Sequence, residues 1–231
     1  MTSPSRRTIL EPSRELKVCH ETEVLVVGGG PAGVAAAVAA ARNGAATALV
    51  ERYNHLGGMA TGGLVILIPN MSAGTEEQEI AGICDEMVQR LDAIGGARHP
   101  QRRHLGSGDP KLTEKLKHYH DFIVDGRVRM SVIVDPELLK CVMSEMVEEA
   151  GVKLYLHSWA GRALVDGDHV RGIAFESKSG RQAILSRTTI DTTGDGDILA
   201  SAGAEFDGVV DPGLRSAAVA VVWRMGDVDF P

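Results

Sequence analysis

Large rings are scarce in this chain: Phe, Trp and Tyr make up 4% of its 231 residues, and glycine and alanine abound instead. Cysteine is sparse as well, with Cys19, Cys84 and Cys141 forming no CxxC pair and no metal-ligand spacing. An odd, low count fits a reducing, cytoplasmic setting rather than a disulfide scaffold, and no metal is expected. No uninterrupted run of 18 apolar residues exists, so no membrane span is expected. Positive charge is the minority sign: 24 Lys and Arg against 31 Asp and Glu leave a net charge of −7. That excludes a generic nucleic-acid footprint and argues against docking on anionic lipid. Ser5-Arg6-Arg7-Thr8-Ile9-Leu10 has the look of a twin-arginine export signal. Glu11-Pro12-Ser13-Arg14-Glu15 stands where that signal needs an apolar stretch, so the export reading fails.

What is present in excess is glycine, 27 residues or about 12%, against a usual share of about 7%. The glycines do not recur every third residue, so the chain is not collagen-like. The length is ample for a core and corresponds to about one and a half domains. The 44% hydrophobic and 24% charged fractions suit an ordinary globular protein.

Residues 1–22 are polar and read as a surface arm. Glu23–Val27 is a short apolar run, as in a parallel strand buried on both faces. It enters Gly28-Gly29-Gly30-Pro31-Ala32-Gly33, then a helix over Val34–Asn43 with Gly44 as its C-terminal stop. Ala46–Val50 is a second strand ending at Glu51, which completes a βαβ unit. Residues 52–75 read as loop, with four glycines within 57–63. Glu76–Ile94 has helical periodicity through Ile80, Ile83, Cys84, Met87, Val88 and Leu91. Gly95–Pro110 reads as loop and Leu112–Phe122 as a shorter helix. Val128–Val134 is a strand, and Asp135-Pro136-Glu137 opens a helix that ends at Gly151. Val152–Leu156 is a further strand. Arg162–Arg187, broken at Gly167, Gly172 and Gly180, is a three-stranded antiparallel meander. Thr188–Thr192 is a short strand closing on Gly194-Asp195-Gly196-Asp197. Residues 198–213 are irregular, and Ala217–Met225 is a last strand.

The Gly28-x-Gly30-x-x-Gly33 spacing lies between a strand and a helix, where its chemistry requires it. Gly28 permits the tight turn, Gly30 lets backbone approach a pyrophosphate, and Gly33 lets the helix pack on the strand. The helix start offers N–H groups and the positive end of its dipole. Glu51 ends the second strand, where a carboxylate accepts hydrogen bonds from an adenosine ribose. Together these predict dinucleotide binding. The choice of dinucleotide rests on the segment beyond Glu51. A nicotinamide domain continues directly into a helix and a third parallel strand, whereas here the chain enters Leu56-Gly57-Gly58-Met59-Ala60-Thr61-Gly62-Gly63. A second glycine-rich segment brings bare backbone against a longer ligand and points to FAD.

The segments VLVVGGGPAGVAAAVAAARNG, LVERYNHLGGMATGGLV, VDPELLKCVMSEMVEEAGVKLYLHS and IDTTGDGD resemble the FAD-dependent oxidoreductase family of glutathione-reductase-like fold, in the branch with LGGMAT after the ribose glutamate. The likeness covers most of the chain, weakly over 64–124. It implies an α/β architecture: a Rossmann-like FAD-binding domain with a parallel sheet, an antiparallel β-meander, and the start of an antiparallel substrate layer. It divides the chain into an arm (1–22), an FAD-binding domain (23–200, with a helical insertion at about 76–124) and the beginning of a substrate domain (201–231). By this resemblance Gly28, Gly30, Pro31, Ala32 and Gly33 hold the pyrophosphate, and Glu51 and Arg52 hold the ribose and its surroundings. Gly58, Met59, Ala60 and Thr61 line the stretch toward the flavin. Trp159 and Ala160 meet adenine through backbone atoms. Thr193, Gly194 and Asp195 match the turn that closes on the cofactor, with Thr192 where the family usually has Ala.

The implied activity is dehydrogenation of a small organic substrate by hydride transfer to flavin. No catalytic group is evident. His55 is a weak candidate, able to tether or touch the flavin, and a loop histidine is the plainer reading. His118 and His120, in a helix around Tyr119, do not share a face, and His157 reads as structural. Cys84 and Cys141 read as core, and Cys19 as an inert thiol in the arm. Such flavoproteins carry a later Gly-Asp-helix segment over the flavin pyrimidine; Gly226-Asp227 has the letters but follows the wrong strand and precedes only four residues. Three readings stay open: an FAD-binding portion completed by a partner polypeptide, by further sequence or by a homo-oligomer; a catalytically silent truncated member; and a non-redox nucleotide-binding module.

Overall fold

The computed structural model describes residues 8–72, 74–206, 221–223 and 225–226. Strand β1 spans Lys17–Val27 and its last three residues are buried. Helix α1 (Pro31–Arg42) turns Gly33, Val34, Ala37 and Val38 inward, a stripe of small side chains at helical spacing. Strand β2 (Thr47–Val50) is buried at all four positions, as a parallel strand covered on both faces must be. A 3-10 turn at Gly58–Ala60 and a two-residue strand β3 (Leu67–Ile68) come next. Then come α2 (Ile83–Ala93), β4 (Ala97–Arg98), α3 (Pro110–Leu116), β5 (Ile123–Val124), β6 (Arg127–Val128) and β7 (Val132–Val134). Helix α4 (Pro136–Glu149) starts as its sequence demands: Asp135 caps it by accepting from the Glu137 and Leu138 N–H groups, and Pro136 occupies the first turn. The chain closes with β8 (Lys153–Tyr155), β9 (Trp159–Asp166), β10 (His169–Ser177), β11 (Gly180–Asp191) and the five-residue helix α5 (Asp197–Ser201).

One six-stranded sheet carries the molecule, in the order β8-β2-β1-β11-β10-β9. The first four strands are mutually parallel, and β10 and β9 continue the sheet antiparallel. On the helix side α1, α2 and α4 pack over Val26, Leu49, Met87, Leu91, Met143 and Met146. Because aromatics are few, methionine and branched aliphatics fill this core; Phe122 and Phe175 are the only buried rings among the described residues. A second cluster, with Leu25, Val50, Ile173, Phe175 and Ile184, lies toward the meander strands.

Several expectations are corrected. The arm does not run to residue 22: Lys17–Thr22 belong to β1 because they pair with Gln182–Ser186 of β11, a partner some 165 residues away in sequence. Cys19 therefore sits half-buried at an irregularity in that strand, and burial pushes its thiol up. The meander's last strand and the separate strand at Thr188–Thr192 are one strand, since no glycine or proline interrupts 181–191. Helix α2 begins seven residues later than its periodicity suggests. Gly82, in a left-handed conformation (φ 67°), precedes it, and Ile80 is exposed. The region 76–124 is thus a mixture of two helices and short strands rather than a helical insertion. Helix α3 stops at Leu116, so His118 and His120 lie in the turn beyond it. Residues 197–201 are helical, not irregular. Cys141 is exposed on α4 instead of belonging to the core. The expected strand at Ala217–Met225 falls largely outside the described residues, and its described part, 221–223 and 225, carries no strand. Asp227 also lies outside the described residues.

Candidate cofactor site

The carboxyl ends of β1, β2 and β11 converge on one cavity of about 690 Å³, within the usual range of ligand sites. The turn after β1 forms its floor. Gly28 has φ +105°, and a Cβ there would collide with the Thr192 carbonyl oxygen. Gly33 faces the same crossing from the helix: its Cβ would run into Gly28 O. Gly30 differs, because a Cβ built there meets nothing within 4 Å and would project into open space. No side chain caps α1, and Gly30, Pro31 and Ala32 form part of the cavity wall, so the helix start presents uncapped N–H groups there.

Glu51, 5% exposed, is held across this floor. Its Oε2 accepts from Gly29 N–H at 2.5 Å and its Oε1 from Tyr53 N–H at 2.8 Å. Gly29 is close enough for a Cβ to strike Leu56 Cδ2 at 2.6 Å, so the residue between the motif glycines is itself constrained to glycine. The chain past β2 keeps pairing with the chain past β8: Ser158 N–H donates to Glu51 O and His157 N–H to Tyr53 O, both at 3.0 Å. His157 adopts a left-handed conformation at this corner, which delivers Ser158, Trp159 and Ala160 beside Glu51 and Arg52 on the cavity wall.

The end of β11 locks onto the floor. The Thr192 hydroxyl lies 2.8 Å from Gly28 O and 2.9 Å from Val27 O and shares its hydrogen between them. The departure from Ala at this position thus ties the closing turn to the first one. Asp191 fastens the turn from the other side. Its Oδ1 accepts from the Thr193 N–H and hydroxyl, and its Oδ2 accepts from the Ile198 and Leu199 N–H groups. Partial burial works to raise this carboxyl. The donors from Leu199, Thr193 and Ile198 outweigh it and hold Asp191 below the usual carboxylate range. Thr193, Gly194, Asp195 and Asp197 then border the cavity.

Of the residues singled out from sequence, Gly28, Gly30, Pro31, Ala32, Glu51, Arg52, Gly58, Met59, Trp159, Ala160, Thr193, Gly194 and Asp195 line this one cavity. Gly33, Ala60 and Thr61 stand behind its wall. Gly33 packs against the turn and Ala60 against the helix-side core, while Thr61, buried, donates its hydroxyl to Leu56 O at 2.7 Å. Sequence reasoning passed over Tyr53, Ser158, Gly62, Gly63 and Asp197 on the wall, and Gly29 and Asp191 behind it. The run of three glycines was a signal for Gly29. Asp191 had none, because its partners are backbone groups seven and eight residues on.

His55 also lines the cavity. Its Nδ1 lies 3.1 Å from Leu56 O and 3.4 Å from Thr61 Oγ1. A carbonyl only accepts, so the neutral ring carries its proton on Nδ1 and leaves Nε2 as an acceptor. Gly62 abuts this ring closely enough that a Cβ would meet Cε1 at 2.9 Å. Among the described residues no cluster of His, Cys, Asp or Glu could hold a metal ion. No described helix is long and apolar enough to cross a membrane.

An uncapped helix start over a glycine turn, an open position at Gly30 and a buried carboxylate across the floor fit the pyrophosphate and ribose of an adenine dinucleotide. Known proteins carry the same pattern. The sequence profile of the family described as FAD dependent oxidoreductase matches residues 23–228. A curated 3-oxosteroid 1-dehydrogenase of Mycolicibacterium smegmatis is 36% identical over 103 residues, covering 43% of this chain and 18% of that protein. The chain therefore spans about a fifth of the curated relative it matches. Among solved structures, BexE, studied for oxidation during BE-7585A biosynthesis, superposes with a TM-score of 0.54 at 17% identity, over 82% of this chain and 35% of that one. L-proline dehydrogenase from P. horikoshii gives a TM-score of 0.51 at 15% identity, over 81% of this chain and 57% of that one. These likenesses establish the fold, and the profile match over nearly the whole chain establishes the lineage: the chain belongs to the FAD dependent oxidoreductase family, whose cofactor is FAD.

Proposed function

We propose that residues 23–200 hold the ADP half of FAD in this cavity and present its flavin for oxidation of a small organic substrate. The observation that carries this reading is the pairing, across one floor, of the uncapped α1 start with the Glu51 carboxylate. The pyrophosphate rests against Gly30, Pro31 and Ala32, where Gly30 leaves room for it. Glu51 is already oriented by two backbone donors, and its remaining lone pairs accept from ribose hydroxyls. Thr193, Gly194 and Asp195 close over the pyrophosphate, with Asp191 fixing that turn. Met59, Gly62 and Gly63 provide a low wall toward the flavin end, where bare backbone suits a flat ring. The bound flavin supplies the redox chemistry itself, taking up hydride at N5. His55, with Nε2 free, is the side chain we assign to proton traffic at that end.

Specificity lies in the substrate-facing portion of such enzymes, and a match to 18% of a steroid dehydrogenase carries over no substrate. We place the protein in the cytoplasm on its sparse cysteines. The flavin-covering side is completed by groups outside the described residues, on a partner polypeptide or further sequence.

Purification of the chain tests this. A yellow protein whose flavin absorbance is bleached by dithionite is expected, with FAD released as the intact dinucleotide on denaturation. Mass spectrometry of the denatured chain reports whether His55 carries it covalently. A folded chain that never takes up FAD, alone or with a completing polypeptide, would sink the assignment.

A further inference from the structure

Four flat groups line one rim of the cavity. The guanidinium carbon of Arg52 lies 4.9 Å from the Tyr53 ring centroid and 5.4 Å from that of Trp159, both within cation–π reach. Tyr53 stacks in turn on His55, with centroids 5.8 Å apart and planes inclined by 12°. In a chain poor in aromatics, two large rings stay open here: Trp159 is 57% exposed and Tyr53 47%. Neither ring serves the core. Among the described residues Arg52 forms no salt bridge. A planar, weakly hydrated guanidinium is thus oriented by ring faces, which leave its charge and its donors unneutralised. It stands one residue from the carboxylate assigned to the ribose, and Trp159 starts the strand whose next residue, Ala160, also borders the cavity.

Resting on the reading of this cavity as an adenine-dinucleotide site, we propose that the Arg52 guanidinium, held flat by Tyr53 and Trp159, is the surface on which the purine base stacks. The Trp159 indole is its positioning residue. Backbone contacts at 159 and 160 fix the edge of the base, and Arg52 covers its face. Charge alone does not suffice in this arrangement. A lysine at 52 keeps the charge and loses the plane, whereas a phenylalanine at 159 keeps a ring face for the guanidinium.

The test uses the full chain with Trp223→Phe, which leaves Trp159 as the sole tryptophan. ADP is titrated against Trp159 emission, FAD is titrated by flavin fluorescence, and the melting temperature of each ligand-free variant is measured. ADP is expected to change Trp159 emission. Arg52→Lys and Trp159→Ala should each weaken ADP and FAD binding roughly tenfold, with melting temperatures unmoved because both side chains are exposed. Trp159→Phe should recover most of the affinity. Unaltered ADP and FAD affinity in Arg52→Lys or Trp159→Ala overturns the stacking role while the cofactor reading stands. A loss of affinity matched by a fall in melting temperature makes the rim merely structural and also overturns it. A parent chain that binds neither ADP nor FAD overturns both readings together.

Discussion

Gly30 and Gly33 belong to one motif but should fail in different ways when a methyl is added. At Gly30 the added carbon meets no atom of the chain, and the backbone there is ordinary extended structure (φ −68°, ψ −178°). Gly30→Ala is expected to fold and melt like the parent and to bind FAD at least about tenfold more weakly, because the methyl takes the space of the pyrophosphate. At Gly33 the carbon collides with the Gly28 carbonyl oxygen, a backbone atom that cannot swing aside. Gly33→Ala should cost about 3 kcal/mol or more, seen as loss of soluble protein or a large drop in urea midpoint before any ligand is added. Thr192 offers a finer test. Replacing its hydroxyl by a methyl in Thr192→Val leaves Gly28 O and Val27 O without that donor. Denaturant unfolding should show a cost of about 1–3 kcal/mol.

At the level of elements, the ends of α1, α2 and α4 are tied by charge. Arg42 on α1 grips Glu86 on α2 with both terminal nitrogens, at 2.6 and 2.8 Å, and Arg90 on α2 bridges Glu86 to Glu149 on α4. Hydrogen bonding from Arg42 outweighs partial burial and, with Arg90, holds the Glu86 carboxyl at about 2. A carboxylate depressed on folding stabilises the fold above its unfolded pKa, and that stability is lost as pH falls from about 4.5 toward 2. Melting temperature should therefore drop through this window, with a smaller drop in Glu86→Gln and with the effect reduced by salt. Since these groups are partly exposed, the contribution at neutral pH is under about 1 kcal/mol. Asp191 acts in the same direction, with its carboxyl also lowered. Its effect is local: Asp191→Ala should speed hydrogen exchange at the Ile198 and Leu199 amides and weaken FAD binding, because the turn that borders the cavity loses its staple.

For the molecule as a whole, the site exists only where three strand ends meet, so cofactor and fold are thermodynamically coupled. A ligand that binds the folded chain alone stabilises it by RT ln(1 + [L]/Kd), about 2.7 kcal/mol at a hundredfold excess over Kd. Saturating FAD should raise the melting temperature by several degrees, ADP should reproduce part of that rise, and Gly30→Ala should abolish most of it. A rise with the parent chain that persists unchanged in Gly30→Ala would place the binding elsewhere.

Local chemistry made the βαβ unit, the Asp135-Pro136 helix start and the meander legible from sequence. In each, the periodicity, the cap or the turn residue lies within a few positions of the structure it dictates. The two glycine segments and Glu51 announced a dinucleotide for the same reason. The extent of β1 back to Lys17, the continuity of β11, the late start of α2 and the role of Asp191 were not legible there. Lys17–Thr22 are polar and become a strand only because β11 arrives beside them. Arg52, Tyr53 and His55 are neighbours in sequence, but Trp159 joins them only through the corner at His157. Short motifs were enough to specify which ligand the chain is built around, because backbone access and a carboxylate can be encoded locally. Which side chains reach that ligand was left to the fold, because reach depends on strand ends brought together across more than a hundred residues.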